Sequence, residues 1–130
     1  MNLKKTSTYK QITKEMPEGS GVKDEFDRML PRFDVLDDGK AVVAMKLLAR
    51  VAFMTVQLAD IERHIDAEGV RETYQNGANQ SGYKKSTYVE VYNAMIKNYA
   101  ALTKQLADML PEDAPKVEDD GFESFVARKG

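Results

Sequence analysis

Two long segments, each with apolar residues at alternating spacings of three and four, constrain the fold most strongly. The first predicts a helix from about Lys40 to Ile65, with a seam of Ala44, Leu47, Val51, Met54, Leu58, Ile61 and Ile65. The second predicts a helix from about Ser86 to Leu110, with a seam of Tyr88, Tyr92, Met95, Tyr99, Leu102, Leu106 and Met109. The connection is long enough to return the chain, so the sequence predicts a long antiparallel helical hairpin.

The connection between these helices has the composition of a short β-hairpin. Val70–Tyr74 contains β-forming residues, Asn76-Gly77 is a strong turn dipeptide, and Ser81-Gly82-Tyr83 can begin a return strand. Because an isolated two-stranded hairpin is marginally stable in water, we expect support from the helix ends or from a neighbouring subunit. The predicted fold is mainly α, with a short β-hairpin at the connection.

A second apolar seam on the first helix predicts a further packing partner, because a helix that is apolar on two faces must cover both. That partner is either the short helix predicted over Asp24–Leu30 or another copy of the chain. The seam contains mostly small residues, which allow close approach. We expect self-association through Met45, Ala49, Ala52, Phe53, Val56 and Ala59.

The composition shifts along the chain predict three regions. Residues 1–21 form a basic N-terminal arm, whose first 16 residues are a frayed helix or a mobile segment. Residues 22–110 form the helical core and oligomerisation domain. Residues 111–130 form an acidic tail in which Phe122, Phe125 and Val126 share one helical face. This face either docks on a partner or folds back on the chain's own helices.

The residue content argues against an enzymatic active site. The chain has no cysteine and carries neither a phosphate-binding glycine motif nor a GxSxG serine. We interpret His64, the single histidine, as an exposed residue near a helix end rather than a metal ligand with Asp60 and Glu62. No enzymatic activity, metal or cofactor is therefore expected.

The overall composition favours a soluble intracellular protein. The net charge of −2 and the 42% hydrophobic content argue against disorder throughout the chain. The N-terminus lacks the apolar run of a signal peptide. Lys46, Arg50, Gln57 and Asp60 interrupt the apolar segment 41–61, so we expect no membrane span.

Lysines provide the candidate binding surface. Lys84 and Lys85 lie beside the hairpin, just before a helix N-terminus that attracts phosphate. Lys97 and Lys104 continue a polar stripe along the second helix, and the N-terminal region adds Lys4, Lys5, Lys10 and Lys14. These lysines are either solvated or form a DNA-binding surface that strengthens when repeated around a ring, since each neutralised phosphate adds to affinity.

With these features in this order, the chain resembles the small subunit of phage terminases, the helical oligomers that help to start viral DNA packaging. The resemblance covers about residues 24–110 and depends on VLDDGKAVVAMKLL, ADIERHIDAEG, YQNGANQSGYKKS and YVEVYNAMIKNYAALTKQLADMLP. Thr87 stands where that family often has proline, and Leu110-Pro111-Glu112-Asp113 replaces its usual Gly-Leu-Ser/Thr-Pro segment.

The resemblance implies a ring of many subunits in the host cytoplasm that binds viral double-stranded DNA and delivers it to the large terminase subunit. The large subunit carries the ATPase and nuclease, so this chain would have neither activity. The lysines would face DNA, and the tail would contact the large subunit through Phe122, Phe125, Val126 and Arg128. Two alternatives stay open: a helical adaptor that binds only protein, and a small enzyme that uses His64.

Overall fold

The computed structural model describes residues 2–75, 77 and 80–111. Two short 3₁₀ helices, at Leu3–Lys5 and Leu30–Phe33, accompany four α-helices and two strands. In chain order, the α-helices and strands are α1 (Ser7–Lys14), α2 (Val22–Met29), α3 (Asp38–Glu68), β1 (Arg71–Gln75), β2 (Ser81–Lys85) and α4 (Thr87–Met109). The predicted fold class is confirmed as mainly helical with a two-stranded antiparallel sheet.

Helix α3 has a strong signal at each end. The Asp37 carboxylate caps its first turn by accepting a hydrogen bond from the Lys40 backbone N–H at 2.9 Å. Gly69 follows the last turn with a φ of 84°, which glycine adopts without a steric penalty, and its N–H donates to the Ile65 carbonyl. No proline interrupts the sequence between these caps. At a rise of about 1.5 Å per residue, α3 is roughly 46 Å long.

Helix α4 begins and ends at equally clear signals. The Ser86 side chain accepts a hydrogen bond from the Tyr88 backbone N–H at 3.1 Å. Leu110 is extended and is followed by Pro111, which favours that conformation in the residue before it. Local sequence therefore accounts for both ends of the helix.

Helices α3 and α4 contact each other, and the contacts join their residues in reverse order. The Thr55 and Tyr99 hydroxyls are hydrogen-bonded at 3.0 Å. Further along α3, the Tyr92 hydroxyl donates to the Glu62 carboxylate at 3.0 Å. Each tyrosine hydroxyl thus reaches a polar partner on the neighbouring helix.

The N-terminal segment packs against the first half of α3 and completes the core. Leu3 is fully buried, and the Tyr9 ring stacks on Phe26 with the ring centroids 5.9 Å apart. The largest fully buried side chains are Phe26, Phe33, Leu3, Leu30, Met45, Leu48, Leu106, Val51 and Thr103. The described part of the predicted N-terminal arm thus contributes Leu3 to the core and packs α1 against it.

Asp27 joins α1 to α2 through two hydrogen bonds. Its carboxylate accepts one from the Tyr9 hydroxyl at 2.7 Å and one from the Lys23 ammonium at 2.8 Å. Burial raises the pKa of Asp27, but the hydrogen bonds from Lys23 and Tyr9 outweigh it and hold the pKa below 3.8. Burial and the bond to Asp27 raise the pKa of Tyr9 above 10.0.

The core is concentrated at one end of α3. Ala41, Ala44, Met45, Leu48, Val51 and Ala52 are all buried in the first half, whereas Leu58 and Ile61 are the buried residues of the second half. The hairpin follows this thinly packed end, and most of its residues are exposed. The sheet is therefore a projecting ribbon whose side chains are available to a partner.

Candidate nucleic-acid interface

The register of the hairpin decides which side chains share a face of the ribbon. β1 and β2 pair so that Arg71 lies opposite Lys85 and Glu72 lies opposite Lys84. Successive side chains of a strand point to opposite faces. One face, here called the cationic face, therefore carries Arg71, Thr73, Tyr83 and Lys85. The other, here called the paired face, carries Glu72, Tyr74, Gly82 and Lys84.

The cationic face places two positive charges beside an exposed aromatic ring. The Arg71 guanidinium carbon lies 5.0 Å from the centroid of the Tyr83 ring, within the range of a cation–π contact. Tyr83 itself is 68% exposed. Among the residues that the structure describes, no carboxylate forms an ion pair with Arg71 or Lys85. This face therefore carries two unneutralised charges.

Two like charges directly opposite each other across a ribbon repel. An anion that lies between Arg71 and Lys85 would relieve this repulsion. The planar guanidinium suits bidentate binding of phosphate oxygens, and the ammonium suits a single charged contact. A two-stranded ribbon is also narrow enough to enter the DNA major groove. The cationic face can therefore bind a nucleic-acid backbone, while Tyr83 offers an aromatic surface beside it.

The paired face is neutralised within the chain and anchors the ribbon to α4. The Lys84 ammonium lies 3.1 Å from the Glu72 carboxylate and lowers the pKa of Glu72 by a hydrogen bond. The Thr87 hydroxyl donates to the same carboxylate at 3.3 Å. The Ser86 backbone N–H donates to the Val70 carbonyl at 2.9 Å, which extends the ladder to the helix. Lys84 thus has an internal partner.

The Tyr74 ring lies close to its cross-strand neighbour Gly82 on the paired face. A Cβ atom added at Gly82 would lie 3.2 Å from the Tyr74 ring. That separation is tighter than ordinary van der Waals contact, so a side chain there would displace the ring. Gly82 therefore allows Tyr74 to lie flat across the ribbon.

The structure distributes the predicted DNA-binding lysines over several surfaces. Lys85 joins the cationic face, whereas Lys84 belongs to the paired face. On α4, Lys97 is exposed and Lys104 pairs with Asp108 at 3.3 Å. The N-terminal lysines are exposed but lie on elements packed near the opposite end of α3; they are Lys4, Lys5, Lys10 and Lys14.

Sequence reasoning missed Arg71, because its neighbours depend on the pairing register. The signal lies in the alternation of Arg71 and Thr73 on one strand with Tyr83 and Lys85 on the other. This alternation can be recognised only when residues 76–80 are taken as the connection between the two strands. Gly77 in that loop has a φ of 75°, as expected for the glycine of the predicted turn dipeptide.

The predicted self-association residues fall into three classes of exposure. Met45 and Ala52 are buried inside the chain, and Ala49, Val56 and Ala59 are half-buried. Phe53 is 48% exposed. Part of this seam is covered by the chain itself, since Met45 and Ala52 belong to the core cluster that also contains residues of α2. The exposed part of the seam centres on Phe53.

His64 lies at the end of α3 that carries the hairpin. Its ring stacks on Tyr88 with the centroids 4.3 Å apart, and its Nδ1 lies 3.1 Å from the Glu68 carboxylate. Asp60 lies 3.7 Å from the other ring nitrogen. Within residues 2–75, 77 and 80–111, no group of three His, Asp or Glu side chains is arranged to hold a metal.

The predicted large-subunit contact lies outside the described residues, since Phe122, Phe125, Val126 and Arg128 all belong to the segment 112–130. Helix α3 is long and apolar enough to cross a membrane by length and composition alone, a test that core helices of soluble proteins also pass. Helix α3 contacts α1, α2 and α4, and Lys46 and Arg50 on it are exposed.

Comparison with known proteins returns no relative: no family model, no curated protein and no solved structure matches this chain.

Proposed function

We propose that this chain is a DNA-packaging subunit of the kind found in small phage terminases. It binds viral double-stranded DNA, assembles as a homo-oligomeric ring of long antiparallel helical hairpins, and recruits or regulates the large terminase subunit in the host cytoplasm. It acts by binding and positioning DNA, without catalysis or a cofactor. The large subunit supplies the ATPase and nuclease.

The observation that carries this proposal is the cationic face of the hairpin. Arg71 and Lys85 face each other without an internal carboxylate partner among the described residues, and Tyr83 lies exposed beside them. A phosphate group would supply the negative charge that pairs with these two cations. In a ring, each subunit presents one such face, so several weak contacts add to a strong attachment.

Exposed apolar surface on α3 supports the proposed assembly into a ring. Phe53 is 48% exposed and lies beside half-buried Ala49 and Val56. Val43, on the same helix, is 51% exposed. Aromatic residues are enriched at protein interfaces because they bury a large area on association. A neighbouring subunit that packs on Phe53 would remove this surface from water.

The proposal is tested with the full chain in solution. We expect light scattering to give a multiple of the 14.6 kDa protomer mass at micromolar concentration. We also expect fluorescence anisotropy to show binding to labelled duplex DNA that weakens steeply as salt rises. A single-chain mass with and without DNA, together with no DNA binding at low salt, would overturn the proposal.

A helical adaptor that binds only protein is the second candidate, favoured by the same exposed Val43 and Phe53. It predicts self-association or partner binding through α3 with no salt-dependent DNA binding. The anisotropy measurement therefore separates the two candidates.

A further inference from the structure

A cleft lies between α1 and α3, away from the hairpin. Its volume is about 530 Å³. Its apolar lining includes Ile12 of α1, Met16 just after that helix, and Val42, Ala49 and Phe53 of α3. Thr8, Gln11 and Glu15 also line the cleft, so its wall is both apolar and polar. Its volume lies in the range that is typical of ligand-binding clefts.

Two cations give the cleft a specific charge. Lys46 and Arg50 line it from α3, are both exposed, and stand four residues apart on the helix. Like charges at this spacing destabilise an isolated helix. In the described part of the chain, Glu15 is the one carboxylate that lines the cleft, and neither Lys46 nor Arg50 forms an ion pair. The occupant that fits best combines large apolar side chains with negative charge.

The chain's own C-terminal segment has this combination. Phe122, Phe125 and Val126 are spaced to share one helical face. Residues 112–126 contain six carboxylates and a single lysine. The carboxylates include Glu118, Asp119, Asp120 and Glu123, which surround the first phenylalanine in sequence. The segment therefore matches both the apolar lining and the positive charge of the cleft.

The segment also starts at the right place. Met109 and Leu110 pack against the core cluster that contains Met45 and Leu48, so the chain leaves α4 at the height of the cleft. From Pro111 to Phe122 the chain can extend about 36 Å, at about 3.3 Å per residue. A helix with its side chains is about 10–12 Å across, so this length suffices to pass around α3.

We propose that Phe122, Phe125 and Val126 of the chain's own C-terminal segment dock into the cleft between α1 and α3, with the neighbouring carboxylates facing Lys46 and Arg50. A short tether gives such a segment an effective concentration in the millimolar range, so modest contacts are sufficient. Ala49 and Phe53 also belong to the predicted self-association surface, so the docked tail and a neighbouring subunit compete for these two residues. This inference does not depend on DNA binding.

A single tryptophan tests the docking, since the chain has none of its own. Phe125→Trp in the full chain should emit at a shorter wavelength than the same tryptophan in an isolated peptide of residues 112–130. Adding Lys46→Glu and Arg50→Glu should remove this blue shift. The matched control, Lys40→Glu with Arg63→Glu on the same helix, should keep it, and circular dichroism should show equal helicity in all variants.

Three results would overturn the proposal: emission equal to that of the free peptide, a blue shift that survives the reversal of Lys46 and Arg50, or a blue shift that disappears on dilution. The last result would mean that a second copy supplies the segment. None of these measurements contains DNA, so failure here is distinct from failure of the packaging role.

A disulfide provides an independent measurement, because the natural chain has no cysteine. Ala49→Cys with Phe125→Cys should form an intramolecular bond under mild oxidation, and should form it more slowly when the chain is unfolded before oxidation. Gln105→Cys with Phe125→Cys is the control. Gln105 is exposed on α4, six residues after Tyr99. Tyr99 contacts Thr55 of α3, and Ala49 lies six residues before Thr55, so Gln105 and Ala49 lie at the same height on antiparallel helices. Equal cross-linking of both pairs would reject docking in the cleft.

Discussion

Replacing the two charges of the cationic face should weaken DNA binding far more than replacing those of the paired face. The first variant is Arg71→Gln with Lys85→Gln. The matched control is Glu72→Gln with Lys84→Gln, which alters the same two strands at directly opposite positions. Glutamine keeps a polar, uncharged side chain in each case. The first variant removes two positive charges, whereas the control removes one of each sign and leaves the net charge unchanged.

The expected magnitude follows from counterion release. Each phosphate that a cation neutralises adds about 0.9 to the slope of log affinity against log salt concentration. If Arg71 and Lys85 each bind one phosphate, their loss should reduce that slope by about 1.8 per bound hairpin. Between about 50 and 200 mM salt, the affinity of the variant should therefore fall roughly tenfold less than that of the wild type for each hairpin in contact with DNA.

Fluorescence anisotropy with a labelled duplex, measured at several salt concentrations, provides the slope for each protein. Circular dichroism checks that both variants remain helical. The control should keep the wild-type slope, since Lys84 is already paired with Glu72 at 3.1 Å. An unchanged slope in the Arg71 and Lys85 variant, or an equal loss in the control, would refute the assignment of this face to DNA.

Three further predictions concern stability and assembly. Phe26→Ala should lower the free energy of unfolding by about 3–5 kcal/mol, because Phe26 is fully buried, and urea denaturation measures this. Phe53→Glu should reduce the mass found by light scattering without loss of helicity, whereas Val43→Glu should reduce it less; equal reductions would contradict a contact centred on Phe53. The pKa of Asp27 is lowered by its hydrogen bonds, so its carboxylate stabilises the fold at pH values above 3.8. That stabilisation is lost as pH falls through the lowered pKa, and Asp27→Asn should lose this part of the acid dependence in urea denaturation at successive pH values.

Local chemistry made much of the secondary structure predictable. Asp37 and Ser86 are helix-capping residues, and Pro111 follows the end of a helix. These signals act through adjacent backbone groups, so they can be recognised without knowledge of the fold. The β-forming residues around Asn76-Gly77 likewise indicated two strands, and β2 begins at Ser81 as predicted.

The packing of the N-terminal segment could not be derived in the same way. Leu3 is isolated among polar and charged residues, yet it is fully buried. The Tyr9–Asp27 hydrogen bond joins residues 18 positions apart and forms only when α1 and α2 approach. Neither the burial of Leu3 nor this contact has a sequence pattern of its own. The basic composition of the first residues therefore suggested an arm, although Leu3 and α1 pack against the core.

The sequence by itself determined the two long helices and the two strands between them, because caps, prolines and apolar spacing act over a few neighbouring residues. Only the tertiary structure decided that Lys84 is neutralised while Lys85 faces Arg71. A shift of one residue in strand pairing would place Lys85 opposite Glu72 instead, and this register depends on the turn that joins the strands rather than on either strand alone. The tertiary structure likewise decided that Met45 and Ala52 are buried while Phe53 remains exposed, since burial depends on which helices pack against α3.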